Sequence, residues 1–162
     1  MLSILRLPQR TLDKLGMYRT VTLALGLLAM YSIGAAAVGW LAYGVVELLL
    51  ALGFVLGLAL IANVALAQLL RIPANHESAV ITALLLFFLF LPPTSGEQWW
   101  WLGVATVAAV ASKFILTWRK QHVVNAAAFG AVAVSLPYFL EANWWVATPV
   151  LFVPLVLAGV AV

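Results

Sequence analysis

Three observations predict an all-α fold, a polytopic bundle of about six transmembrane segments with a short or broken third helix. Apolar residues make up 66% of the 162-residue chain and charged residues 8%, where a soluble domain carries about 25% charged residues. Mean hydropathy is +1.15. The few charges punctuate apolar runs of the length that crosses a hydrocarbon core about 30 Å thick. The third run, however, is cut short by Pro92-Pro93, which leaves helix-compatible residues only from Asn75 to Phe90, roughly 24 Å of helix.

The same numbers narrow the partners. The net charge of +3 and pI near 9.6 do not indicate nucleic acid, because the cations lie in the short segments between apolar runs, where they orient a protein in membrane lipid. The sequence holds no cysteine, so disulfides, thiolate metal ligands and a cysteine-ligated iron–sulfur cluster are excluded within these residues. Its two histidines, His76 and His122, stand far apart and make a weak case for haem or zinc.

Residues 1–19 read as a basic cytoplasmic arm, with Arg6, Arg10, Lys14 and Arg19 against Asp13. Residues 20–162 read as one transmembrane helical domain. A cleaved signal peptide is disfavoured by the long charged start and by the further spans. From Val21 to Leu70 the chain is almost wholly apolar. That is too long for one crossing and suits two, at about 20–38 and 44–69, with a turn near Gly39–Gly44. Gly53 and Gly57 form a small-xxx-small pair that lets helices approach closely. Glu47 lies one or two turns inside the second span. An intramembrane acid is a functional candidate by default, though this one is near enough to the end to reach headgroups. Asn63 and Gln68 are weaker signals.

The third span, about 76–91, has a polar entry. Asn75 can cap it, and Glu77 and Ser78 fall in its first turn, where acceptors are favoured. Capping explains all three; the same exposed amides could instead hold an anionic or carbonyl-rich ligand. Thr82 shares a face with Asn75 and Ser78. Discontinuous helices recur at membrane binding sites, while the plain alternative is a short helix with a proline stop. The fourth span, about Trp99–Trp118, opens on an aromatic belt, Trp99–Trp101. Lys113 lies roughly 10 Å inside its end, close enough to snorkel to the surface; otherwise it needs an acidic, carbonyl or anionic partner. After the basic turn Arg119–His122, the fifth span, about 123–140, opens with Asn125. The sixth, about 145–162, contains Pro149 and Pro154.

The charges support this count. Six crossings put the N-terminal arm, Arg71 and Arg119–His122 on one side, and Glu97 and Glu141 on the other. That is a positive-inside pattern with the N-terminus in the cytoplasm. The tryptophans at 99–101 and 144–145 then fall at the outer interface.

One ordered set of motifs resembles a known family. Pro73-Ala-Asn-His-Glu-Ser-Ala-Val-Ile-Thr82, Leu91-Pro-Pro-Thr94, Ser112-Lys113 and His122-Val-Val-Asn125-Ala-Ala-Ala-Phe-Gly130 look like the NqrB/RnfD family. Its members are the membrane subunits of sodium-pumping quinone reductase and of the Rnf ferredoxin:NAD complex. The resemblance implies an integral protein of a prokaryotic inner or plasma membrane, built from two related halves. It also implies flavin (FMN or riboflavin, with FAD as a further form) and electron transport with a redox partner domain or subunit on the cytoplasmic side.

This sequence departs from the family pattern in three ways. Ala126 replaces the proline usual after the asparagine. The Ser-Gly-Ala-Thr-type motif of the covalent flavin site is missing, so a noncovalent flavin is expected. The broken helix occurs once rather than twice, so the chain reads as the first half of a longer protein, of a fused oxidoreductase, or of a homodimer.

Asn75, Glu77, Thr82, Lys113 and Asn125 would then line a flavin site between the third, fourth and fifth spans, without acid–base catalysis by the protein itself. The rival function is a transporter or channel for a small solute, flavin included, using the broken helix as its site. A third is a membrane anchor whose polar groups only cap helices.

Overall fold

The computed structural model describes residues 6–118, 121–122, 125–136 and 139–161, without the side chains of 6–15, 117–118, 121–122, 158, 160 and 161. Among them the fold is all-helical. Six helices run in order: α1 (Arg6–Ala37), α2 (Val45–Leu70), α3 (His76–Leu89), α4 (Gly96–Ile115), α5 (Ala126–Ser135) and α6 (Pro149–Ala161). The one β feature is a two-residue antiparallel pair, Thr117–Trp118 against Gln121–His122. It carries the chain from α4 towards α5. Two stretches, Gly16–Ala37 and Val45–Leu70, are long and apolar enough to cross a membrane.

Several boundaries differ from the sequence reading. The basic arm is not a separate element: from Arg6 it is continuous with the first span, a 32-residue helix about 48 Å long. Pro8 stands in its first turn, where a missing N–H costs no helical bond. Residues 1–5 lie outside the described residues. The fourth helix ends at Ile115, not Trp118, because the chain turns back through the β pair. Arg119 and Lys120 of the basic turn lie outside the described residues. The fifth helix has only ten residues, about 15 Å; Pro137 follows in the sequence, and helices usually end before the residue preceding a proline. The sixth begins at Pro149, the first helical position that proline favours.

The polar side chains of the apolar helices are largely satisfied locally. Thr22, Ser32 and Thr106 each donate to the carbonyl four residues back, at 2.8–2.9 Å. Glu47 is exposed rather than buried. It sits in the first turn of α2, where its carboxylate accepts from the Gly44 N–H at 3.2 Å, so capping accounts for it.

Small residues take a large share of the helix contacts on α2. On α2 the buried positions include Ala51, Ala59, Ala62 and Ala67, while Leu49, Leu50, Ile61 and Leu69 face outward. The interior goes on through Ala79, Ala83, Ala105, Ala109, Ala127 and Ala131. Small residues bring the helix axes close, and large side chains, Leu48, Leu86, Phe88, Leu102 and Leu151 among them, fill the rest of the core. The tightest approach is at Gly130 of α5, where a Cβ would overlap the Ala105 carbonyl oxygen and lie 2.7 Å from the Ala109 Cβ of α4. The expected pair, Gly53 and Gly57, has nothing within 4 Å of either position, so its close contact is not made within the described chain.

The turns sort by charge. Residues 38–44, 90–95 and 139–148 meet at one end, which carries Glu47 and Glu141 and holds Glu97 at the start of α4. At the other end lie Arg19, Arg71, Glu77 and Lys113.

Candidate functional site

The site builds from the two ends of α3. Its N-terminus is capped by Asn75, whose Oδ1 accepts from the Ser78 N–H at 3.1 Å. Lys113, in the last turn of α4, reaches across to this turn. Its ammonium donates to the Ser78 carbonyl at 2.6 Å and to Ser78 Oγ at 2.9 Å. The same carbonyl accepts from Thr82 Oγ1 at 3.0 Å. Ser78 therefore joins Asn75, Thr82 and Lys113 in one hydrogen-bonded group. Lys113 neither snorkels outward nor meets an acid. It is half-buried, and among the described residues the one ion pair is Arg19–Glu77, at 3.7 Å.

Two of the expected residues stand apart from this group. Glu77 turns to Arg19 on α1, away from α4. Asn125 caps α5, its Oδ1 accepting from the Ala127 and Ala128 amides at 3.0 and 3.3 Å. In the sequence reading Ser78 shares a face with Asn75 and Thr82 but is not counted among the residues lining the flavin site. Its offsets, three from Asn75 and four from Thr82, were visible, but Lys113 lies 35 residues away. Arg19 was read only as a topology charge.

The C-terminal end of α3 is closed differently. The last four carbonyls of a helix lack helical partners, and Pro92 has no N–H to offer the Phe88 carbonyl. Leu86 O accepts from Phe90 N at 3.0 Å, Leu89 O from Asn143 N at 2.7 Å, and Phe87 O from the Trp145 indole N–H at 2.8 Å. Trp145 is buried at 3% exposure and packs against Phe87, Phe88 and Tyr43. It was expected at an outer interface; it is instead the cap of a broken helix, because an indole is one of few apolar side chains that can donate to an orphan carbonyl.

Two cavities lie elsewhere. An apolar groove of about 690 Å³ opens between α2 and α4 beside Phe54, Trp99, Gly103 and Val107. A smaller cavity of about 350 Å³ lies at the acidic end, among Tyr43, Glu47, Gln98, Phe139 and Glu141.

A flavin can be tested against these donors. The oxygens of Asn75 and Asn125 are engaged in capping, which leaves their amide N–H groups as donors. Lys113 uses two of its three ammonium protons. An isoalloxazine edge rich in carbonyls and ring nitrogens calls for such donors, so Asn75, Lys113 and Asn125 fit it chemically. Comparison with protein-family models, with curated proteins and with solved structures gives no match.

Proposed function

We propose that this chain is an integral membrane domain of about six crossings with its N-terminus in the cytoplasm, and that it holds a noncovalent flavin for electron transport. The membrane reading is supported by the large apolar side chains that face outward, Leu49, Leu50, Ile61 and Leu69 of α2 among them, which suit a solvent as apolar as the side chains facing it. The separation of Glu47, Glu97 and Glu141 from Arg19, Arg71 and Lys113 supports the orientation. Because the sequence has no cysteine, single replacements Glu97→Cys and Arg71→Cys can be labelled in intact cells with a membrane-impermeant maleimide. Labelling at 97 and not at 71 is expected; labelling at both or in the reverse sense would overturn the orientation.

One observation carries the flavin reading: a cationic, hydroxyl-bearing group at the N-terminal end of α3, where Lys113 of α4 meets Ser78 and Thr82. The resemblance to the NqrB/RnfD family supplies the identity of the cofactor. Asn75 and Asn125 would donate to the ring edge through their amide N–H groups. Lys113 would place positive charge beside the reduced, anionic ring and raise its potential. A flavin supplies one- and two-electron chemistry; the protein supplies position and charge, and a redox partner on the cytoplasmic side supplies or accepts electrons.

The test is a visible spectrum of the detergent-purified protein before and after dithionite. Flavin bands that bleach on reduction, that leave with the supernatant after acid precipitation and that are lost in Asn125→Ala support the reading. A colourless protein that transports solute in vesicles would replace it with the transporter reading.

A further inference from the structure

We infer that Asn63, in the apolar interior of the bundle, holds a buried water molecule that ties α2 to a facing helix. This site is separate from the group built on Ser78 and does not rest on the flavin reading.

The buried polar side chains among the described residues are Ser32, Asn63, Thr82, Thr106 and Ser112. Four of them are hydroxyls. Each donates to a carbonyl three or four residues back on its own helix, at 2.7–3.0 Å, a bond that a hydroxyl on a helix makes readily. Asn63 differs. It is 2% exposed, and its Nδ2 has no hydrogen-bond partner among the described residues. It stands seven residues before Leu70, the last of α2, roughly 10 Å inside the helix. A side chain as short as asparagine does not reach the helix end from there. Buried donors in folded proteins are paired with protein or with ordered water, because an unpaired one has lost its hydration for nothing.

The chemistry of the partner follows from the group that needs it. An amide N–H asks for an acceptor, which excludes a metal cation. An anion would need a compensating cation, and none of the buried polar residues is charged. The partner is therefore a neutral acceptor. Its size follows from the surroundings. Asn63 lines neither the groove between α2 and α4 nor the cavity at the acidic end. Ala59, Ala62 and Ala67 are buried on the same helix, and Ala79 and Ala83 are buried on α3, which packs along α2. Side chains this small leave gaps on the scale of a water, not of a cofactor ring. They also bring helix backbones close, so helical carbonyls form part of the wall. Each such carbonyl keeps a second lone pair beyond its helical bond. A water can accept from Asn63 Nδ2 and donate to one of these carbonyls, which gives it the two or more polar partners that buried waters have.

The water has a structural consequence. Apolar side chains cover the outward face of α2 as well as most of its inward face, so hydrophobicity leaves the rotation of this helix weakly specified. The bond through the water distinguishes the one rotation in which Asn63 is satisfied.

The experiment is solid-state NMR of the chain in phospholipid bilayers, with asparagine labelled in 13C and 15N and valine in 15N. Asn63-Val64 is the one Asn-Val pair in the sequence, so the two labels single out Asn63 without a substitution. A correlation between the Asn63 Nδ2 protons and water protons is expected; a dry amide shows none. The second measurement is thermal unfolding of Asn63→Leu, which keeps the volume and removes the amide. Loss of the water's bonds should lower the melting midpoint by roughly 2–4 °C, whereas relief of an unpaired amide would raise it. The proposal is overturned if the water correlation is absent, or if the midpoint of Asn63→Leu holds or rises. Should Asn63→Leu fail to fold, the correlation in the unsubstituted chain decides alone.

Discussion

The two ends of α3 meet the same difficulty in different ways. Both must satisfy the backbone groups that a helix end leaves without helical partners. At the acidic end the answer is neutral and packed. A buried indole and a backbone amide cover the Phe87 and Leu89 carbonyls, and Pro92 and Pro93 are themselves buried. At the basic end the answer is polar and charged: Asn75 caps, Lys113 bridges from α4 to Ser78, and Arg19 faces Glu77. The first arrangement fixes the fold through bulk and cannot be exchanged for a ligand without unpacking. The second is built from long side chains with donors to spare, so it can yield to a ligand at small cost. That difference is why the cofactor reading belongs at the basic end.

Five substitutions at four positions would break or sharpen this contrast, each read as thermal unfolding of the purified protein in detergent. Trp145→Ala should be the most damaging, removing about 3–5 kcal/mol through the cavity it leaves; Trp145→Phe keeps most of the ring and should cost about 1–3 kcal/mol for the orphaned Phe87 carbonyl. Next is Lys113→Met, which preserves the apolar stem but removes both bonds to Ser78. Hydrogen bonds to charged groups contribute about 1.5–3 kcal/mol, so its loss should fall below that of Trp145→Ala and should also release bound flavin. Asn75→Ala should cost about 1 kcal/mol, the usual value of a helix cap. Glu77→Gln comes last, at about 0–1 kcal/mol, because the pair with Arg19 is long and largely exposed, and its effect should vanish at high salt. If Lys113→Met proved costlier than Trp145→Ala, the basic end would be the structural anchor and the contrast would be reversed.

Legibility follows the range of the interaction. Asn75 and Asn125 each stand at a helix start with cap bonds reaching two or three residues, and a pattern of that reach can be read along the chain; Ser95, which caps α4 over the same reach, is not among the caps read from the sequence. The stop of α3 at Pro92-Pro93 was equally local. Harder to read were contacts that cross the bundle. Lys113 to Ser78 spans 35 residues and Trp145 to Phe87 spans 58, and no periodicity joins them.

The sequence by itself determined the helical class, the broken third helix, its caps and the alternation of basic and acidic turns, because these depend on composition and near neighbours. Only the tertiary structure decided which faces turn inward. In a soluble helix the polar face marks the outside; here apolar side chains cover both the outward and the inward faces, so hydrophobicity does not mark the inward face. That is why Gly130 rather than Gly53 or Gly57 makes the close helix contact, why Trp145 lies in the core, and why Lys113 finds a carbonyl instead of the surface.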